Sequence, residues 1–374
     1  MQQSLARVGD PVASVETPAL VIDLDAMERN LAAMAVFARS HGVRLRPHAK
    51  MHKSAAIAKA QMAAGAVGVC VQKVSEAEAL ADAGIADIFI SNEVIDTAKL
   101  TRVAALAGRI TLAIAVDSVL GVDRLAQACK AAGSAPNVFV EIDVGQRRCG
   151  VSPAAAGALA RHVVSRGLRF AGLQAYQGGA QHLRGAAERE AAVRSAATVV
   201  RAAKMSIGAA GIECPLVTGG GTGTFVFEAT NGVCGELQVG SYLFMDCDYA
   251  DNEPAEHAPR FEQALFVKSQ VMSCSESHVV VDAGLKAYAV DSGLPRVLGR
   301  ELEMINYGDE HGILKRSGSG SATDLPLLGE TIWLVPGHCD PTVNLYDAYV
   351  AVRGGLVGGV VEAVWPVDTR GCLL

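Results

Sequence analysis

The sequence predicts an α/β protein, a closed (β/α)8 barrel followed by an all-β domain. Three observations carry this. Short, continuously apolar runs alternate with Ala-rich stretches of helical spacing from Arg44 to about Gly240. Eight such runs fall within about 200 residues, which argues for a closed barrel over an open sheet. Beyond about Glu256 the helical spacing stops, and short β-like runs with GG and GS turns replace it.

In chain order, ALVIDLD (19–25) reads as a strand and Ala26–His41 as a helix. That strand would be a ninth in the barrel, so it is assigned to the β domain. The barrel strands are expected at 43–47, 67–71, 87–91, 110–116, 137–143, 168–175, 214–218 and 236–241. Most are predominantly apolar, as in a parallel sheet covered on both faces. Helical spacing marks Ser54–Ala64, Ser75–Ala83, Thr97–Ala107, Ser118–Ala132 and Ala186–Gly208. The later strands are expected in ALFVKSQVMS, HVVVDA, TIWLVPG, AYVAVRGG and LVGGVVEAVWPV. The barrel therefore spans 26–255, and 1–25 with 256–374 form the β domain, with AEHAPR (255–260) at the boundary. SGSGSA (317–322) reads as a flexible surface loop.

Composition bounds the function. Of 374 residues, half are hydrophobic and 19% charged, which excludes a disordered or fibrous chain. The net charge is −6 with no basic run, so nucleic acid is not an expected partner. No apolar run is long enough for a membrane span, and MQQSLARVGDP lacks a signal core. Nine scattered cysteines without a CxxC pair suggest neither a zinc ribbon nor a disulfide scaffold. A cytoplasmic, reducing setting is expected.

Chemistry in such a barrel sits at the C-terminal ends of the strands. The first strand leads into RPHAKMHK, with His48, Lys50, His52 and Lys53. A lysine in the mouth can be desolvated, which lowers its pKa and makes the amine a better nucleophile. Gln72 follows the second strand, Asp143, Arg147 and Arg148 the fifth, and Tyr176, Gln181 and His182 the sixth. The seventh ends in TGGGTGT (218–224), whose backbone N–H groups and Thr222 and Thr224 hydroxyls suit a phosphate. Gly240, Ser241 and Tyr242 follow the eighth. In the β domain, PGHCDPT (336–342) puts His338 and Asp340 on one side of an extended segment, with Cys339 facing away. The pair suits a hard or borderline divalent ion. A β-turn capped by Asp340 is the structural alternative.

Taken in order, RPHAKMHKS, VQKVSEAEA, ISNEV, EIDVGQRRCGV, GLQAYQGGAQH, VTGGGTGT, ELQVGSYLFMD, VDAGLK and PGHCDPT resemble the D-threonine aldolase family of pyridoxal-phosphate enzymes. That family includes D-3-hydroxyaspartate aldolases and, more distantly, D-serine dehydratases, on the alanine racemase fold. The resemblance runs from TPALVIDLDAMERN (17–30) to VWPV (364–367). It implies that Lys50 forms the Schiff base with pyridoxal phosphate. Thr222, Gly240, Ser241 and Tyr242 would hold the cofactor and its phosphate, and Gln72, Arg148 and Tyr176 would surround its ring. His338 and Asp340 would hold a divalent metal, and His182 would act as a base near the substrate hydroxyl. Asp340 stands where the dehydratase branch has a cysteine, which favours an aldolase with Mn or Mg. The implied reaction is retro-aldol cleavage of a β-hydroxy-D-amino acid to glycine and an aldehyde, by a homodimer. The alternatives are cleavage of D-3-hydroxyaspartate to glycine and glyoxylate, dehydration of D-serine, racemisation and non-catalytic cofactor binding.

Overall fold

The computed structural model describes residues 6–318 and 324–374. The eight barrel strands are Arg44–Leu45, Val69–Val71, Asp87–Glu93, Thr111–Val116, Asn137–Glu141, Arg169–Gln174, Val217–Gly219 and Glu236–Leu237. All eight fall where the apolar runs place them, and each neighbouring pair is parallel. The barrel closes through Val67 N–H to Leu45 O, Cys70 N–H to Pro47 O and Ala49 N–H to Cys70 O. The first strand is short because Pro47 cannot donate to a ladder.

The helices match their periodicity closely. Thr97–Ala107 has the expected bounds, and the Asp96 carboxylate caps it by accepting the Lys99 N–H at 2.9 Å. Ala186–Ala209 packs on Ala156–Ser165 so tightly that a Cβ on Gly157 would lie 2.2 Å from the Ser206 carbonyl oxygen. The Ala-rich faces are thus a packing device, with Val74, Ala77, Leu80 and Ala81 buried on one face of Val74–Asp82.

The remaining strands form a nine-stranded sheet. Ala19–Asp23 joins it, antiparallel to Leu265–Cys274 and parallel to Ala348–Arg353, instead of entering the barrel. The hairpin Leu302–Tyr307/Gly312–Arg316 and the short strand Arg296–Val297 were not expected from the sequence. Only Leu302 and Met304 of LEMINY point inward, so polar Glu and Asn dilute the apolar signal. Of SGSGSA, residues 319–322 lie outside the described residues. No helix among the described residues is long and apolar enough to cross a membrane.

The expected extended segment at PGHCDPT is corrected. His338 is extended (φ −142°, ψ 126°), but a helical turn begins at Cys339 and runs to Val343. Asp246 Oδ2 accepts the Cys339 N–H at 3.0 Å and holds the chain at that bend. The bend buries Cys339 completely while His338 and Asp340 hang over the barrel mouth.

Candidate active site

A cavity of about 320 Å³ opens at the C-terminal end of the barrel, under the turn carrying His338 and Asp340. Lys50, Gln72, Arg148, Tyr176, His182, Thr222, Gly240, Ser241, His338 and Asp340 all line it. These are the site residues the family resemblance implies, with one exception; of the other strand-end candidates, His52, Lys53, Asp143, Arg147, Gln181 and Thr224 do not line the cavity. The exception is Tyr242, which does not reach the cavity. Its ring is 1% exposed, and its hydroxyl lies 3.5 Å from Gln61 Nε2. Only its backbone belongs to the site, with Tyr242 N–H donating to Thr222 Oγ1 at 3.0 Å. The ring follows GSY into a turn of 3-10 helix, Ser241–Leu243, that folds it back into the core.

The glycine loop is built for an anion. A Cβ on Gly223 would lie 2.5 Å from the Gln181 carbonyl oxygen, so only glycine lets the loop sit this close. The backbone N–H groups of Thr222, Gly240 and Ser241 make no hydrogen bond to the described residues, although all three residues line the cavity. Unpaired donors of this kind form an anion nest. Lys50 lies across the cavity on the segment after the first strand. The donors and the amine fit pyridoxal phosphate.

The expectation that Lys50 has a depressed pKa is also corrected. Asp340 Oδ2 lies 3.1 Å from Lys50 Nζ and raises the amine above its ordinary value, outweighing burial. Burial alone would raise the Asp340 carboxyl, but Lys50 and His338 together hold it below the usual range. Burial, reinforced by the charge on Lys50, keeps His48 well below its ordinary value and therefore neutral.

Two of the three histidines lining the cavity, His338 and His182, are oriented alike. His338 Nδ1 lies 2.6 Å from Asp291 Oδ2, and His338 Nε2 lies 3.8 Å from Asp340 Oδ1. His182 Nδ1 lies 2.6 Å from Asp248 Oδ2. A carboxylate only accepts, so each ring carries a proton on Nδ1 and turns Nε2 to the cavity. Asp340 Oδ1 is buried with no hydrogen-bond partner. A lone buried acceptor beside an imidazole nitrogen fits a divalent cation, not a capped turn.

Sequence reading missed Ser91, Gln174, Gln238 and Tyr249, which line the cavity, and gave His48 no role. It also missed Asp248 and Asp291. His48 Nε2 lies 2.8 Å from the Gln72 amide and 3.3 Å from Ser91 Oγ. The strand-end rule would have found Ser91 and Gln174, since both lie at the C-terminal ends of expected strands.

Beside Arg148 lies a buried acidic group. Glu141 Oε1 is 3.8 Å from Arg148 Nη2, and Oε2 has no partner. Burial, with Glu93 beside it, pushes the Glu141 carboxyl up to about 8. The unfolded chain releases this proton near its ordinary value of 4.5, so the folded state keeps a proton that the unfolded state has lost. This group's contribution to stability therefore falls as pH rises from about 4.5 towards 8. Glu141→Gln is expected to flatten the fall in denaturation midpoint between pH 5.5 and pH 8 relative to the parent. Parallel slopes would show that Glu141 is ionised throughout.

A barrel with a lysine after its first strand, an anion-holding loop after its seventh and a strand-rich cover defines the alanine racemase class of fold. Comparison with known proteins agrees. Residues 22–248 match the family described as alanine racemase, N-terminal domain, and 264–352 match a serine dehydratase domain. A D-threonine aldolase of Arthrobacter sp is 45% identical over 370 residues, 98% of this chain and 96% of that one. A 3-hydroxy-D-aspartate aldolase of Paracoccus denitrificans (strain Pd 1222) is 43% identical over 369 residues, 96% of this chain and 93% of its own. The crystal structure of D-threonine aldolase from Filomicrobium marinum superposes with a TM-score of 0.95 at 48% identity, covering 99% and 100% of the two chains. The chain belongs to the D-threonine aldolase and 3-hydroxy-D-aspartate aldolase family.

Proposed function

We propose that this protein is a pyridoxal-phosphate- and divalent-metal-dependent aldolase that cleaves β-hydroxy-D-amino acids to glycine and an aldehyde. The observation that carries the reading is the convergence of Lys50, the Thr222–Ser241 donors, His182 and the His338–Asp340 pair on one cavity. The high identity to two aldolases along nearly the whole chain supports it.

When bound, pyridoxal phosphate supplies an electron sink for the bond pair released at Cα. Lys50 is its covalent anchor. Thr222, Gly240 and Ser241 would bind its phosphate, and Gln72, Arg148 and Tyr176 would surround its ring. The Arg148 guanidinium lies 5.9 Å from the centre of the Tyr176 ring, so the two side chains support each other. His338 and Asp340 would hold Mn or Mg, which would orient the substrate hydroxyl and lower its pKa. His182 Nε2 accepts the hydroxyl proton. Arg148 would bring a fixed positive charge to the cofactor site, and burial raises the Glu141 carboxyl 3.8 Å away so that it does not cancel that charge at neutral pH.

On this reading residues 26–255 hold the cofactor, and 1–25 with 256–374 bring the metal ligands to it. A homodimer completing the mouth follows from the family resemblance. A cytoplasmic setting is the natural one for nine unpaired cysteines.

The test is an assay of glycine and aldehyde from D-threonine and 3-hydroxy-D-aspartate, and of pyruvate from D-serine. It uses added pyridoxal phosphate, with Mn, with Mg, or with a chelator. Metal-dependent glycine release supports the aldolase, and the faster of the first two substrates names its preference. Pyruvate from D-serine with no glycine from either would move the protein to the dehydratase branch. His182→Ala is expected to keep normal cofactor absorbance and lose about 10²–10⁴-fold in kcat. Turnover equal to the parent would remove His182 from the chemistry.

A further inference from the structure

One turn links the two halves of the site. Asp246 Oδ2 accepts the Cys339 N–H at 3.0 Å, Cys247 N–H donates to Pro336 O at 3.0 Å, and Asp248 N–H donates to Gly337 O at 3.2 Å. Residues 246–248 are therefore laid along the segment that presents His338 and Asp340. Asp246 Oδ1 accepts the Tyr249 N–H at 3.0 Å, which starts the short helix Cys247–Ala250. From that helix the Asp248 carboxylate turns the other way, to His182.

Asp248 is itself held. Its side chain is 6% exposed, and Arg184 donates to both its Oδ1 and its backbone carbonyl. Arg184 also reaches Asn252 Oδ1 at 2.8 Å, and Asn252 Nδ2 donates to the Gln181 carbonyl at 2.9 Å. Asp248 Oδ2 is then left for His182 Nδ1 at 2.6 Å. The His182 ring is otherwise half-exposed and touches Tyr249 at 5.7 Å between ring centres. A ring with so little packing would rotate without the carboxylate.

We infer that Asp248 is the positioning residue for His182. It fixes the proton on Nδ1 and aims Nε2 into the cavity. Through the 246–248 turn it also sets the base at a fixed place relative to His338 and Asp340. The inference rests on the reading of His182 as proton acceptor. A carboxylate that orients an imidazole in this way is worth roughly 10–100-fold in activity. Were Asp248 only one end of an ion pair holding a surface loop, losing either end would have the same effect.

The experiment compares Asp248→Asn, Asp248→Glu, Arg184→Met, His182→Ala and the Asp248→Asn/His182→Ala double variant in the holoenzyme with D-threonine. Asp248→Asn is expected to lower kcat about 10–100-fold, with KM, cofactor absorbance and metal affinity close to the parent. Asp248→Glu should recover part of the loss, and Arg184→Met, which loosens Asp248 without removing its carboxylate, should cost less than Asp248→Asn. The double variant should be no slower than His182→Ala, because the two residues act as one unit. Nitrogen-15 spectra of histidine-labelled protein, with His182 assigned from its loss in His182→Ala, should show a single Nδ1–H form. In Asp248→Asn they should show a mixture. Parent-like kcat in Asp248→Asn beside a slow His182→Ala, or additive losses in the double variant, would overturn the inference alone. A fast His182→Ala would overturn the base assignment and the inference together.

Discussion

Lys50→Ala is expected to abolish aldol cleavage, by about 10³-fold or more, as loss of a covalent catalytic group does. The Lys50 amine is the only lysine amine lining the cavity among the described residues. Arg148, the nearest other permanent cation in the mouth, cannot replace it, because a guanidinium does not give up its proton to become a nucleophile. The variant should also lose the visible absorbance that the parent gains with pyridoxal phosphate. That readout does not depend on knowing the substrate. Full turnover, or an unchanged spectrum, would show that the anchor lies elsewhere. The fold should survive, since Lys50 packs in the open mouth and no core cluster depends on it.

Asp340→Ala should cost activity by a comparable route but leave a different signature. The cofactor spectrum should stay, while the apparent affinity for Mn or Mg falls at least about 10–100-fold and cleavage falls with it. The reason is local. Asp340 Oδ1 is buried without a partner, and its other oxygen faces Lys50 Nζ at 3.1 Å. Nothing else among the described residues places a carboxylate beside His338 Nε2 within the cavity. Titration of metal into chelator-treated parent and variant, followed by the rate of glycine release, checks this. Parent activity that survives exhaustive chelation would remove the metal from the reading. Cys339 is no substitute ligand, because the bend at 338–339 buries its thiol in the core, and burial raises the thiol pKa well above its ordinary value.

The ion pair between Lys50 and Asp340 also reverses an inference that looks secure from sequence. A lysine at the end of a barrel strand suggests an amine made acidic by desolvation. Burial does act in that direction, but a single carboxylate at 3.1 Å outweighs it. The carboxylate arrives from a segment 290 positions away in the chain (340 − 50), so no local pattern announces it.

The sequence by itself determined the barrel, because its signal is local. Eight apolar runs and the Ala-rich spacing between them are read within windows of a turn or two, and the strands formed where they stood. It also determined most of the mouth, since the parallel barrel forces every residue after a strand to one end. Only the tertiary structure decided which groups act as pairs. His182 meets Asp248 across 66 residues and His338 meets Asp291 across 47. It also decided that Tyr242 turns inward while its N–H stays at the site, and that Cys339 is buried between two cavity-lining neighbours. These outcomes follow from how the β sheet is laid over the barrel. Burial and a neighbour's charge set what a side chain can do, and both are properties of the packed chain.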